Sequence, residues 1–196
     1  MKRLIAILLA LTLVFALASC GKKAENTINL EPYTSAIANT SLKNATVEIT
    51  QTNDFLPDYP LVARYEITYN NDGSATVNYT YMEYVEIGED SDSITNTISG
   101  YATISADGTV SGNISATVTA AASVNFNLDA SKMAASEDHG ILRANISAAN
   151  TAAVLGGAIG ADVVFTLSTA NNTVTGATIN YTLDGAAYEI VCSYNG

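Results

Sequence analysis

The chain has 196 residues, of which 48% are hydrophobic, and its 8 basic and 19 acidic side chains give a formal net charge of −11. Nucleic acid is not an expected partner, because binding phosphates requires a basic surface. The hydrophobic content suffices for a core, and residues 32–196 have the usual size of one domain.

The first 19 residues have the layout of a secretory signal peptide. Lys2 and Arg3 precede an apolar run over residues 4–17, which only Thr12 interrupts, and small residues follow it. The run is shorter than the roughly 20 residues that a helix needs to cross a bilayer. A permanent transmembrane span is therefore the weaker interpretation.

A cysteine follows this segment. The sequence Leu17-Ala18-Ser19-Cys20 resembles the bacterial lipobox, in which an apolar residue and two small residues precede a cysteine. The resemblance implies that the Cys20 thiol receives a diacylglyceryl group and that cleavage makes Cys20 the acylated first residue. The alternative is an ordinary signal peptide with an incidental cysteine. Because two or more acyl chains hold a protein stably on a membrane, the resemblance implies a lipid-anchored, extracytoplasmic protein.

Residues 20–31 show little apolar periodicity, and we expect them to be a lipidated tether to a single β-rich domain, residues 32–196. Lys22 and Lys23 lie beside the expected anchor, where positive charges help to seat it on lipid. Removal of the leader with its two basic residues would bring the net charge near −13. The domain itself is therefore not expected to bind an anionic surface.

The second cysteine is Cys192. If Cys20 is acylated, Cys192 has no partner for an intrachain disulfide. A reactive thiol needs nearby positive charge to lower its pKa, and the surrounding sequence "YEIVCSYNG" carries none. We expect Cys192 to be a small buried hydrophobic residue.

Apolar and polar residues alternate with the period of half-buried strands over much of the domain. Placing both apolar sets of the first hairpin on one side requires Tyr69 to oppose Ala75, with Gly73 at a positive φ in the loop. The same design predicts that Ile104 opposes Val110, and the second strand is expected to continue to residue 118.

A third hairpin has a different loop. Pairing Ile179 with Ile190 requires a two-residue loop, Asp184-Gly185, of type I′. This register places Ala177 opposite Cys192 on an apolar face, in agreement with a buried thiol.

Helical patterns are scarcer. Residues 32–45 are predicted to hold a short helix with Tyr33, Ile37 and Leu42 inward. The segment "SAANTAAVLGG", residues 147–157, is predicted to be a second helix that Ser147 caps and Gly156-Gly157 end.

Residues 128–143 are ambiguous and are expected to be part helix and part loop. The predicted fold is mainly β, a β-dominated α+β class. It is a single curved antiparallel sheet of hairpins and a final four-strand meander, with one or two short helices packed on it.

Metal binding and cofactors are not expected. Each Asp-Gly pair offers one local carboxylate, whereas calcium takes six to eight oxygen ligands, so turn chemistry explains these pairs. A zinc site has only His139 and Cys192 to draw on. The better candidate is an acidic stretch without a recognised ligand spacing, for which a solvated loop is the favoured interpretation. Its carboxylates are Glu86, Glu89, Asp90 and Asp92.

Enzymatic activity is also not expected. His139 is the single histidine, and the neighbouring Glu137 and Asp138 could in principle orient it. An ordinary loop of small and acidic residues would have the same local sequence without catalysis. The chain also has no nucleophile-elbow or phosphate-cradling glycine pattern.

Two surfaces compete for a binding role. The first is the apolar sheet face, where bulky tyrosines stand beside glycine and alanine, so that either a helix (residues 147–156) or an apolar ligand fills the remaining space. A helix over a curved sheet is loosely similar in architecture to the half-barrel lipid-carrier lipoproteins, although no motif carries that similarity. The candidate ligand face consists of Tyr65, Tyr69, Tyr79, Tyr81, Gly100, Ala102 and Gly112.

The second surface is the polar face of the same strands, which is rich in Ser and Thr. Met82, Tyr84 and Tyr101 stand among these hydroxyls as candidate contacts for a sugar or peptide. Hydroxyl-bearing residues are also ordinary in strands, and the alternative is that this face has no binding role.

The sequence therefore favours a membrane-anchored lipoprotein with a non-catalytic binding or accessory role at the cell envelope. Its expected partners are the membrane, through Cys20, and an apolar small molecule or an envelope protein. A structural or adhesive surface protein is the second hypothesis, and a hydrolytic enzyme is the third.

Overall fold

A computed structural model describes residues 28–54, 56–85, 94–112 and 114–196. They form one ten-stranded antiparallel sheet in the order β5-β4-β3-β2-β1-β10-β9-β8-β7-β6. The sheet is curved, and the fold is mainly β, as predicted. Within these ranges, no helix has the length and apolar character needed to cross a membrane. The lipobox and most of the tether lie outside the described residues.

Within the described ranges, three short α-helices and a 3-10 turn accompany the strands. The helices are α1 (Glu31–Asn39), α2 (Ala116–Ala122) and α3 (Thr151–Leu155), and α3 directly follows the 3-10 turn Ala148–Asn150. The strands are β1 (Asn44–Asn53), β2 (Leu56–Tyr69), β3 (Ala75–Val85), β4 (Ile94–Ile104), β5 (Val110–Ser111), β6 (Met133–Asp138), β7 (Ile141–Ile146), β8 (Val163–Ala170), β9 (Thr173–Leu183) and β10 (Ala186–Asn195).

The core lies on one face of the sheet, because alternate residues of each strand point to the same side. In β8, for example, Val163, Phe165 and Leu167 are buried while their neighbours are partly exposed. The two halves of the sheet are each a five-strand meander, and pairing of β1 with β10 joins them. The inner face is thus continuous across the seam, where Val47 opposes Cys192.

The first two predicted hairpin registers are confirmed. Tyr69 opposes Ala75, and Ile104 opposes Val110. The carboxylate of Asp72 accepts hydrogen bonds from the Ser74 amide and hydroxyl, which lower the Asp72 pKa. Turn geometry therefore accounts for this Asp-Gly pair.

The third hairpin is confirmed as well. Ile179 opposes Ile190, and Asp184 and Gly185 have φ values of +52° and +79°. A type I′ turn needs positive φ at both central residues, so the sequence Asp-Gly suits it.

The prediction for residues 128–143 was wrong in part. Met133–Asp138 and Ile141–Ile146 form a β-hairpin, so the final meander has five strands instead of four. His139 and Gly140, at φ +50° and +80°, make its tight turn. The small residues of β6 differ little in hydrophobicity, so its sequence lacks the alternation typical of a strand. β7 has clear alternation with three buried residues, and β6 pairs with it.

The predicted strand from Val110 to residue 118 was also wrong in part. It ends at Ser111, and Ala116–Ala122 is a helix. The Ser115 hydroxyl accepts a hydrogen bond from the Val118 amide, which satisfies one free donor of the first turn. An alanine-rich run is compatible with a helix, and hydrogen bonds from tyrosines of the sheet to its last carbonyls favour the helix over a weak alternation.

The first predicted helix is confirmed over Glu31–Asn39, and it buries Tyr33 and Ala36. Ile37 and Leu42 are half-buried against the core. Just after the helix, the Thr40 hydroxyl accepts a hydrogen bond from the Val174 amide at 2.8 Å. This contact joins the end of α1 to β9.

The second predicted helix is shorter than the pattern suggested. Ser147 precedes the 3-10 turn but makes no side-chain capping bond. Gly156 ends α3 in the left-handed conformation at φ +76°, as its position in the sequence indicated. Val154 and Leu155 are buried in the core.

Candidate functional site

Three tyrosines form a row on the inner face of β2 and β3. The ring centroids of Tyr65 and Tyr79 are 6.0 Å apart and those of Tyr79 and Tyr81 are 6.2 Å apart, in tilted and stacked arrangements. Tyr65 is buried, whereas Tyr79 and Tyr81 are half-buried. The row therefore presents aromatic surface at the border of the core.

The small residues beside this row allow neighbouring atoms to pack closely against them. A Cβ atom at Gly100 would lie 2.2 Å from the Tyr79 ring, and one at Gly112 would lie 2.6 Å from the Ala102 Cβ. Ala102 itself is buried. The Tyr79 ring thus occupies the space above Gly100, and the site's open volume lies elsewhere.

The open volume is a hollow of about 320 Å³ at one end of β1, β2 and β3. No charged side chain lines it, and Ser115, the N-cap residue of α2, borders it. Its lining residues are Ile49, Gln51, Leu61, Val62, Ala63, Tyr65, Tyr81, Met82 and Ser115.

Sequence reasoning placed Tyr65 and Tyr81 at this site but missed Ile49 and Ser115. Leu61 and Ala63 share the strand parity of Tyr65, which is the signal that connects them to the hollow. Ile49 lies in β1, whose pairing with β2 is a tertiary feature. Ser115 reaches the hollow only because the chain turns into α2.

Helix α2 covers the middle of the inner face next to the hollow. The Tyr69 hydroxyl donates a hydrogen bond to the Ala122 carbonyl, and the Tyr194 hydroxyl donates one to the Ala121 carbonyl. Burial raises the pKa of Tyr69 to about 12 and raises the pKa of Tyr194 as well, so both remain donors. The Tyr69 hydroxyl thus serves to hold α2 on the sheet.

Cys192 is buried and opposes Ala177, as predicted. Burial raises the pKa of its thiol to about 11. A buried, protonated thiol is a poor nucleophile, so Cys192 serves packing.

The candidate contacts of the outer face have different surroundings. Tyr101 is 59% exposed on β4. The Tyr84 hydroxyl donates to the Tyr59 carbonyl at 2.6 Å, which fixes its ring against β2. Met82 is half-buried and borders the hollow. The three residues therefore do not form one patch of equal exposure.

A larger trough of about 670 Å³ lies across β1, β10, β9 and β8. Most of its strand residues belong to the outer parity. The side chains of these outer-parity residues are mainly amides, hydroxyls and carboxylates. Tyr181 and Tyr188, whose stacked rings have centroids 4.8 Å apart, also line the trough but have the parity of the inner face. The lining residues are Thr50, Thr52, Asp162, Val164, Asn180, Tyr181, Thr182, Ala187, Tyr188 and Glu189.

His139 lies exposed in the turn between β6 and β7, where its Nδ1 contacts the Asp138 carboxylate. The two residues of this turn, His139 and Gly140, have positive φ. His139 lines neither the hollow nor the trough. Across the described ranges, no group of three or more His, Cys, Asp or Glu residues is placed to hold a metal ion. The acidic residues 86–92 lie outside those ranges.

Comparison with known proteins gives no family. No protein-family model matches the chain, and no curated protein matches it. Among solved structures, the chain is similar to LprF from Mycobacterium bovis, with a TM-score of 0.38, 15% identity, and coverage of 83% of this chain and 90% of that chain. It is also similar to a LolA superfamily protein from Nitrosomonas europaea, with a TM-score of 0.31, 10% identity and the same two coverages. At such low scores and identities, the likeness assigns no function to this chain.

Proposed function

We propose that the protein is a lipid-anchored, extracytoplasmic protein that binds an apolar molecule, without catalysis, in the hollow on the inner face of its sheet. The anchor is Cys20, and the role is that of a binding or accessory protein at the cell envelope. The domain stands off from the membrane on its tether.

The uncharged hollow is the observation that supports this function. In a chain with a net charge of −11, a lining without charged side chains favours a neutral ligand. Its volume of about 320 Å³ is at the lower end of the roughly 300–1,000 Å³ typical of ligand pockets. A single acyl chain or a small apolar molecule suits that size better than an intact two-chain lipid.

The lining also suggests how such a ligand is oriented. Ile49, Leu61 and Ala63 supply aliphatic surface, and the Tyr65 and Tyr81 rings supply flat apolar walls. Burial and the neighbouring tyrosines raise the Tyr65 pKa, so this wall stays neutral. Gln51 and Ser115 are the polar groups available to a ligand's polar end.

The test is native mass spectrometry of the full chain after incubation with bacterial lipid extract. Ala63→Phe fills the hollow, and the matched control Ala134→Phe adds the same ring to an exposed position of β6. We expect the parent chain and Ala134→Phe to retain added lipid mass and Ala63→Phe to lose it. Equal retention by both variants, or none by the parent, would contradict the proposal.

The trough supports a second candidate function, adhesion to a polar, hydroxyl-bearing ligand such as a saccharide. Neighbouring strands are about 4.8 Å apart, so amide and hydroxyl side chains on adjacent strands are near enough to contact different hydroxyls of one sugar. Asn180→Ala should then weaken binding on a glycan array without changing lipid retention. Unaltered array binding would remove this candidate.

A further inference from the structure

The free edge of β4 differs from the other end of the sheet in its charge. β4 carries no charged residue over Ile94–Ile104, whereas the opposite edge strand, β6, ends with the exposed carboxylates Glu137 and Asp138. Edge strands of natural proteins usually bear charges, prolines or bulges, which prevent pairing with another chain. The β4 edge has none of these devices.

The direction of the β4 backbone groups follows from its hairpin. The Ser105 amide donates to the Thr109 carbonyl at 2.8 Å, so Ser105 faces β5. Alternate residues of a strand direct both N–H and C=O to the same side, and the register of β4 with β3 has no bulge from Ile94 to Ile104. Thr95, Thr97 and Ser99 therefore point their backbone groups away from β3.

These groups are available for pairing among the residues that the structure describes. β5 is only two residues long and pairs with Thr103 and Ile104 alone. Thr95, Thr97 and Ser99 are three consecutive outward positions, each with one donor and one acceptor. The next outward position, Tyr101, lies beside Gly112 at the end of β5. A partner strand can satisfy the donors and acceptors of the first three positions.

We propose that this edge pairs with the same edge of a second copy of the chain, so that the two sheets become continuous across a two-fold axis. In an antiparallel pair centred on Thr97, the two Thr97 residues face each other and each Thr95 faces Ser99 of the second copy. All three outward residues of both strands are then bonded. A two-fold interface requires such self-complementarity.

Self-complementarity selects a second copy as the occupant of the edge, and charge favours this edge over that of β6. Each chain has a net charge of −11, so two copies approach most easily where neither carries a carboxylate. The residues of β4 carry no carboxylate, although the Glu83 carboxylate of β3 accepts a hydrogen bond from the Asn96 side chain. The β6 edge would place Glu137 and Asp138 close to their equivalents. Because the remaining repulsion is screened by ions, association should strengthen as salt rises.

Sedimentation velocity of the full chain in a non-ionic detergent tests the proposal. Thr97→Asp places two carboxylates opposite each other at the two-fold axis, and Thr97→Asn is its neutral control of similar size. Thr97 is exposed, so both variants should fold. We expect the parent and Thr97→Asn to form dimers, and Thr97→Asp to dimerise at least about tenfold more weakly. A monomeric parent at every concentration, or equal association of the two variants, would overturn the proposal.

A backbone variant gives an independent check. Ser99→Pro removes an outward N–H without removing a hydrogen bond to β3, and Ser99→Ala keeps that N–H. Dimers should be lost only in the proline variant, with melting temperature used to verify folding. Dimers of unchanged strength in a folded Ser99→Pro chain would also refute pairing at this edge.

The two-fold centre can be tested by a disulfide. Cα atoms of a hydrogen-bonded antiparallel pair are about 5.5 Å apart, a distance that a disulfide spans. Thr97→Cys should therefore cross-link two chains on oxidation, whereas Thr80→Cys, an exposed position on the adjacent β3, should not. Equal cross-linking of both variants would show that the pair is not centred there.

Discussion

The Tyr69 hydroxyl donates a hydrogen bond of 2.6 Å to the carbonyl oxygen of Ala122, the last residue of α2. The last carbonyls of a helix have no partner within it, so a side chain from the sheet satisfies one of them here. Tyr194 does the same for Ala121. These two bonds fix a short helix over the inner face, and the N-cap of that helix, Ser115, borders the hollow.

Removing these hydroxyls should destabilise the domain. Tyr69→Phe and Tyr194→Phe each leave a carbonyl without its donor, which should lower the free energy of unfolding by about 1–3 kcal/mol. Urea denaturation followed by circular dichroism measures this loss. Tyr101→Phe, which changes a 59% exposed ring, should have no effect. Equal midpoints for all three variants would contradict the role assigned to the hydroxyls.

Gly112 should tolerate a side chain less well than Gly108. Both have positive φ, at +115° and +83°, but a Cβ at Gly112 would lie 2.6 Å from the Ala102 Cβ, whereas nothing lies within 4 Å of one at Gly108. Gly108→Ala should cost about 1–2 kcal/mol through backbone strain alone. Gly112→Ala should cost about 1–3 kcal/mol more because of overpacking. Thermal melting compares the two, and similar losses would show that Ala102 gives way.

Alkaline pH should destabilise the domain through Cys192. Burial raises its pKa from 9.0 to about 11, so the folded thiol keeps a proton that the unfolded thiol releases. The contribution is complete below pH 9.0 and is lost as the pH rises through about 11. The free energy of unfolding should therefore fall more steeply from pH 9 to 11 for the parent than for Cys192→Ala. Parallel pH profiles would argue against this burial effect.

The proposed anchor is tested separately from the domain. Cys20→Ser removes the acylated thiol, and membrane fractionation should then move the protein from the pellet to the soluble fraction, because the acyl chains supply the membrane affinity. Cys192→Ala serves as the control and should stay in the pellet. A Cys20→Ser chain that remains as firmly bound as the parent would refute lipid anchoring.

Local sequence determined three hairpins of this protein, β2–β3, β4–β5 and β9–β10. The alternation around Tyr69 and Ala75, and the Asp184-Gly185 turn, fix strand register within a few residues, because side-chain parity and turn geometry are both local. The burial of Cys192 follows from the same register. For these features, the residues that decide the structure are close together in the chain.

Tertiary structure decided the rest. Residues 116–122 alternate weakly enough to fit a strand, yet they form a helix whose last carbonyls are bonded by tyrosines from β2 and β10. Similarly, β6 becomes a strand because β7 is beside it. The space above Gly100 is filled by Tyr79 from the next strand, and the hollow depends on Ile49 and Ser115, which are 66 positions apart. Such contacts between distant segments leave no periodic signal in the sequence, because each is set by packing across the sheet and not by neighbours along the chain.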